Sequence, residues 1–288
     1  MFFRLLRGAL RLHASRLALV VLSSAMGSGI AGALASIAWQ VEARVSAELR
    51  GFGANILVEP AAPGAPAGSA APAATLDERH LGRVLTIFWR HNLVGLAPSL
   101  TAPAVVSSRG RSERAVLAGV WFERLLDRPD GGPPLRAGVI PLFPHWAIEG
   151  RWPADGAGPM AVVGQALAAR LGVAPGGTIS VDASGALVTL PVAGVIRAGG
   201  FEDEQVMVPL ESAQALLGLP GRASRVLVSA VTVPLDAFGR REPGGLSKRE
   251  FERWFCTPYV TSVARQVQEA IPGSRARRVW SMAVAEAR

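Results

Sequence analysis

Glu202, Asp203 and Glu204 are consecutive acids, and clustered carboxylate oxygens are what a hard cation binds. Neighbouring side chains in a chain usually diverge, so the same run also reads as a solvated loop. Pro144-His145-Trp146 sets an imidazole beside an indole, an arrangement that suits a ligand contact or a plain surface turn. Cys256 lies just before a predicted helix, where a thiolate would be stabilised. With Phe255 and Tyr259 beside it, a buried structural thiol is the reading taken. Phe251, Trp254 and Phe255 have the spacing of one helical face, which packs a core or meets a partner. Lys248 is the one lysine, and Gly244-Gly245-Leu246-Ser247 before it lacks the phosphate-gripping GxxxxGK[ST] spacing. His13, His80, His91 and His145 are scattered, and one cysteine can form neither an intrachain disulfide nor a multi-cysteine metal site. No G-x-S-x-G, no Ser-x-x-Lys and no working carboxylate pair occurs. The expectation is a non-enzyme with no catalytic, cofactor-binding or metal residues and no cofactor.

The elements that would position these residues begin with a hydrophobic run. Residues 17–39 carry no charge, and as a helix would reach about 34 Å, enough to cross a bilayer core. Arg4, Arg7, Arg11 and Arg16 precede the run; Glu42 and Arg44 follow it. This asymmetry puts residues 1–16 in the cytoplasm, as a basic amphipathic segment on the inner leaflet, and the remainder outside. Ser24, Ser28, Gly32 and Ser36 form a small-residue strip suited to close helix packing. A cleaved signal peptide is the rival, because Ala33-Leu34-Ala35 is an A-x-A site that would leave a mature chain starting at Ser36. The apolar run exceeds a usual signal core, which favours retention.

The chain has 288 residues, half of them hydrophobic, a net charge of +8 and a mean hydropathy of +0.30. That length suits roughly two domains of about 150 residues. The basic cluster adjoins a hydrophobic run instead of alternating with aromatics, so membrane lipid is the expected partner of the charge and nucleic acid is not. Residues 61–74 are a Pro/Ala/Gly linker.

Downstream, residues 55–59 read as a strand, and Leu81, Val84, Leu85 and Phe88 as a buried helical stripe. Strands are expected at 102–106 and 114–120 around a polar turn, then a strand-to-helix unit at MAVVGQALAARLG. Further strands fall at 178–181, 186–196, 205–208 and 225–233, with a short helix after Pro209 closed by Gly218. Ser247 and Glu250 have capping-box spacing, and a second helix follows Thr257-Pro258 with Val260, Val263, Ala264 and Val267 inward. Strands and helices in no strict βαβ order give α+β as the fold class.

In order and spacing, the basic helix and span, GANILVEP, Glu149-Gly150-Arg151-Trp152, VVGQALAARLGVAPGGTI, LPVAGVI, VMVPLESAQALLG and RVLVSA resemble MacB/FtsX-type ABC transporter permeases, a group that includes the LolC/LolE-like subunits. The resemblance implies an N-terminal transmembrane helix (17–39) in the bacterial inner (cytoplasmic) membrane. A two-lobed MacB-like periplasmic core domain (50–288) would follow. Its porter-like lobe would comprise about 50–120 plus 225–280, and an inserted α/β lobe about 121–224. It further implies a cytoplasmic ABC ATPase subunit, a second permease copy or paralogue forming a dimer, and a periplasmic partner. FWRHNLVGLAP and CTPYVTSVARQ resemble permeases that accompany iron-uptake systems. Such permeases carry three further membrane helices, whereas this sequence ends at Arg288, where the second would begin. The alternatives are a piece of a longer chain or a shortened gene product. A membrane-anchored interaction module without transport is the competing function.

Overall fold

A computed structural model describes residues 23–30, 32, 53–61, 74–154, 156 and 158–279. It contains two compact units, residues 1–50 and 51–288. In the first, residues 23–30 and 32 are helical and exposed, and the Ser28 hydroxyl donates back to the Ser24 carbonyl at 2.7 Å. Most of the 17–39 run, the 1–16 segment, most of the linker and the chain after Val279 lie outside the described residues. Among the described residues no helix is long and apolar enough to cross a membrane.

The second unit is built on strands β1 (Ile56–Pro60), β2 (Leu76–Asp77), β3 (Leu93–Ser108), β4 (Arg111–Val120), β5 (Arg124–Leu126), β6 (Leu135–Ala137) and β7 (Ala147–Gly150). They continue with β8 (Ala161–Gly164), β9 (Thr178–Ala183), β10 (Ala186–Arg197), β11 (Gln205–Pro209), β12 (Arg222–Ala223), β13 (Arg225–Ala230) and β14 (Ser274–Arg278). The helices are α1 (Val139–Leu142), α2 (Gln165–Leu171), α3 (Leu210–Leu217), α4 (Lys248–Phe255) and α5 (Val260–Ala270).

Ten strands form one sheet in the order β14-β1-β13-β3-β4-β11-β8-β10-β7, and β9 joins both β10 and β3. Strands β3, β4, β11, β8, β10 and β9 therefore pair in a closed cycle. Two pairs, β4–β11 and β8–β10, are parallel; the others are antiparallel. Mixed pairing of this kind, with helices inserted irregularly, is a mixed α and β architecture and not a doubly wound parallel sheet.

Strand alternation divides the interior in two. Leu96, Leu117, Val163, Val206, Val208, Val226 and Val228 face the larger core. Their neighbours Ala97, Ala118, Val162, Met207 and Leu227 face the smaller one, with Phe122 and Leu142. Period-2 side-chain direction makes this partition unavoidable once both sheet faces are covered. Helix α2 buries Leu167 and Leu171 in the larger core, as its sequence pattern predicts. Gly172 and Gly218 close α2 and α3 in the left-handed conformation.

Several boundaries differ from expectation. The 81–88 stripe lies on a 3-10 helix, Glu78–Thr86, not an α-helix. Leu81, Val84 and Leu85 are buried there, but Phe88 lies beyond its end and is 55% exposed. The helix stops at Thr86 and Ile87 is extended, so position 88 falls in the following turn and leaves the buried face. The polar turn shrinks to Arg109-Gly110, because Ser107 and Ser112 are paired within the ladder. The 225–233 strand ends at Ala230, where Asn92 and Pro258 take over the backbone hydrogen bonds of Val231 and Val233.

Candidate functional site

Two neighbouring features stand out at one end of the sheet. The first is the point where the chain enters β1. Asn55 pins three strands together there. Its backbone N–H donates to Val228 O at 3.1 Å, and its carbonyl accepts from Val279 N at 3.1 Å. Its side-chain amide donates to Ala230 O at 2.7 Å, and its Oδ1 accepts from Ala230 N at 3.0 Å. Ser229 Oγ adds a bond to Gly53 O at 3.2 Å. A side-chain amide both donates and accepts, so it replaces both backbone partners at a strand end. Beside this junction Phe143 and Trp146 stack at 4.6 Å with an interplanar angle of 6°, and His145 meets the Phe143 ring edge-on.

The second feature is the excursion between β13 and α5. Ser247 and Glu250 form the capping box their spacing predicts: the Ser247 hydroxyl accepts from Glu250 N, and the Glu250 carboxylate accepts from Ser247 N at 2.9 Å. The Ser247 hydroxyl and backbone and the Arg241 guanidinium, at 2.7 Å, hold the Glu250 carboxyl at a pKa of about 2. Trp254 is only 1% exposed, outside both sheet cores, with its indole N–H on Gly239 O at 3.4 Å. Thr261 donates to the same carbonyl at 2.9 Å. A Cβ on Gly239 would fall 2.8 Å from the Tyr259 ring, so only glycine fits this approach. Tyr259 donates to Asp236 at 2.9 Å. The Gly239 N–H on Asp236, aided by that phenol, lowers the Asp236 pKa; burial, then the hydrogen bond to Asp236, raises that of Tyr259. Arg241 and Arg253 lie against the Phe238 ring at 5.9 and 5.1 Å. Together these residues make a small satellite core.

The carbonyl of Phe255 ties this excursion to the 87–89 turn. It accepts from Trp89 Nε1 at 2.9 Å and Ser262 Oγ at 3.0 Å, supplying partners that a helix C-terminus lacks. The result is an aromatic patch. Phe88 lies 6.0 Å from Phe255 and 5.0 Å from Trp89, and Phe251 lies 5.9 Å from Phe255. Phe88 and Phe251 are 55% and 39% exposed. The predicted trio thus splits: Trp254 packs the satellite core, whereas Phe251 and the half-buried Phe255 reach the surface. Phe88 and Trp89 are partners that sequence spacing does not connect to α4.

Cys256 corrects an expectation. It is exposed, as the residue that caps the C-terminus of α4 instead of opening α5. The acids at 202–204 do not converge. Asp203 accepts from the N–H groups of Ala198 and Gly199 at 2.7 and 3.1 Å, and Glu204 accepts from Arg170 at 2.5 Å. Asp203 and Glu204 therefore each have a separate partner. Among the described residues no group of three or more His, Cys, Asp or Glu is placed to hold a metal.

The arrangement offers surfaces and anchored strand ends. The sequence matches the MacB-like periplasmic core domain over residues 17–241. The chain belongs to that family. It is a transporter-permease family and not an enzyme family. Among solved structures, the chain is similar to the periplasmic region of MacB from Actinobacillus actinomycetemcomitans, with 11% identity and a TM-score of 0.48. That match covers 83% of this chain and 95% of the other. It is also similar to the extracellular domain of the noncanonic ABC-type transporter YknZ from Gram-positive bacteria, with 13% identity and a TM-score of 0.44, covering 78% of this chain and 98% of the other. No curated protein matches it. The MacB-like region ends at position 241, within the excursion and before α4.

Proposed function

We propose that the chain is a permease subunit of a MacB/FtsX-type ABC transporter. Residues 17–39 span the bacterial inner membrane once, residues 1–16 lie on the cytoplasmic leaflet, and residues 50–288 work outside the cytoplasm. The partners are a cytoplasmic ABC ATPase subunit, a second permease copy or paralogue, and a periplasmic protein. Residues about 50–120 plus 225–280 form the porter-like lobe, and about 121–224 the inserted one. The observation that carries this reading is the family match, which begins at residue 17 and so includes the hydrophobic run.

Mechanically, nucleotide turnover on the ATPase displaces the membrane helix, and the outer unit converts that displacement into handling of substrate or partner. No proline interrupts residues 17–59, so helix can continue past the membrane towards β1. Asn55 is the receiving point, because one residue there engages β13 and the chain just beyond β14. A pull on β1 is thereby shared with both strands.

The test is co-purification of the full chain with an ATPase subunit from its native membrane, followed by hydrogen exchange with and without ATP. Retention of the ATPase and nucleotide-dependent exchange around 53–58, 226–231 and 274–279 support the reading. A mature chain beginning at Ser36 and found outside the membrane refutes it.

A further inference from the structure

We propose that the aromatic patch of Phe88, Phe251 and Phe255 is a docking surface for an anionic lipid bilayer. The proposal rests on the membrane reading above and adds a second contact of the outer unit with the same membrane. Three observations carry it. The rings are contiguous and water-facing: Phe88 meets Phe255 at 6.0 Å, Phe251 meets Phe255 at 5.9 Å, and Phe88 is more than half exposed. Exposed phenylalanines on an interfacial helix bury at the boundary between headgroups and acyl chains.

The helix that bears Phe251 and Phe255 also carries the charge that anionic headgroups attract. Lys248, Arg249 and Arg253 are exposed on α4. Of the two acids on the helix, Glu250 is turned back onto Ser247 and Arg241, leaving Glu252 as the one outward carboxylate. An α-helix that exposes Phe251 together with Lys and Arg suits the plane of a bilayer surface, while Trp254 anchors its inner side in the satellite core.

The patch also lies at the chain-entry end of the sheet. Asn92, just past the 87–89 turn, accepts from Val231 N at 2.8 Å, and Val231 follows Ala230, the side-chain partner of Asn55. Val231 and Val233 on this stretch are exposed too. A second copy of this chain is a poorer occupant. The exposed parts of the rings amount to about 200 Å², against about 800 Å² per partner in a stable protein interface.

Cys256, exposed and next to Phe255, gives a direct readout because it is the only cysteine. The full chain is labelled there with an environment-sensitive fluorophore and reconstituted into phosphatidylcholine vesicles with or without phosphatidylglycerol. Doxyl-labelled lipid serves as quencher. The expected result is an about twofold loss of emission in the phosphatidylglycerol vesicles, as for a group held at the headgroup level. It disappears in Phe88→Ser/Phe251→Ser and is absent for a label at Leu187→Cys in a Cys256→Ser background. Equal emission with and without quencher lipid, or emission that changes with protein-to-lipid ratio instead, overturns the proposal; the second outcome identifies self-association. Carbonate extraction of the same vesicles reads the membrane span separately. Quenching reports the patch whether or not the chain resists extraction.

Discussion

Replacing Asn55 with alanine tests whether one side chain ties the first strand to its neighbours. The change removes the amide bond to Ala230 O at 2.7 Å and the bond from Ala230 N at 3.0 Å. Each such bond is worth about 0.5–1.5 kcal/mol net, so the variant loses about 1–3 kcal/mol. The backbone bonds of Asn55 to Val228 and Val279 survive, so the damage is confined to the strand ends. Hydrogen-exchange mass spectrometry on the full chain should show the Ala230 amide, which loses its acceptor, exchanging about 5- to 150-fold faster, the range that energy implies. Val163 and Val206, in the middle of the sheet, should be unaffected. Asn55→Asp keeps the acceptor but sets a carboxylate against Ala230 O, and should be no better than alanine. Unchanged exchange at Ala230 in both variants, or equal acceleration in the central strands, would refute the idea that Asn55 is a local tie.

Other consequences are equally direct. Trp254→Ala empties the satellite core and should cost about 3–5 kcal/mol. Exchange should rise across 231–259 before the sheet loosens, whereas Trp254→Phe should retain most protection. Ser247→Ala removes the cap of α4 and should cost about 1 kcal/mol, measured as faster exchange in the first turn of that helix. Asp130 and Glu250 have folded pKa values lowered to about 2, by Arg90 in the first case and Ser247 in the second. Their contribution is fully present above the ordinary carboxylate pKa near 4 and is lost as pH falls towards 2. Melting temperature should decline over that window, and less steeply in Glu250→Gln.

Local signals recovered much of the fold because they act locally. The capping box at Ser247, the glycines closing α2 and α3, and the alternating residues of β9 and β10 need only their immediate neighbours. The closed strand cycle was not legible, because the pairing of β9 with β3 joins residues over 70 positions apart and leaves no periodic trace. The candidate site was half legible. Phe251, Trp254 and Phe255 fall on one predicted helix, but Phe88 reaches them through a hydrogen bond from Trp89 to a helix-terminal carbonyl. Helical spacing also placed Phe88 inward, but the helix ends at Thr86 and the turn after it carries Phe88 to the surface. Cys256 misled for a related reason: aromatic neighbours in sequence flank it, yet the end of α4 turns it outward.

Sided labelling in intact cells tests the central claim most directly. A membrane-impermeant maleimide is added to cells with a permeabilised outer envelope, and Cys256 on the full chain is followed after carbonate extraction. The account predicts a labelled, carbonate-resistant chain that retains residues 1–35. Labelling of Cys256 only after the inner membrane is lysed, or recovery of a carbonate-soluble chain starting at Ser36, would contradict it.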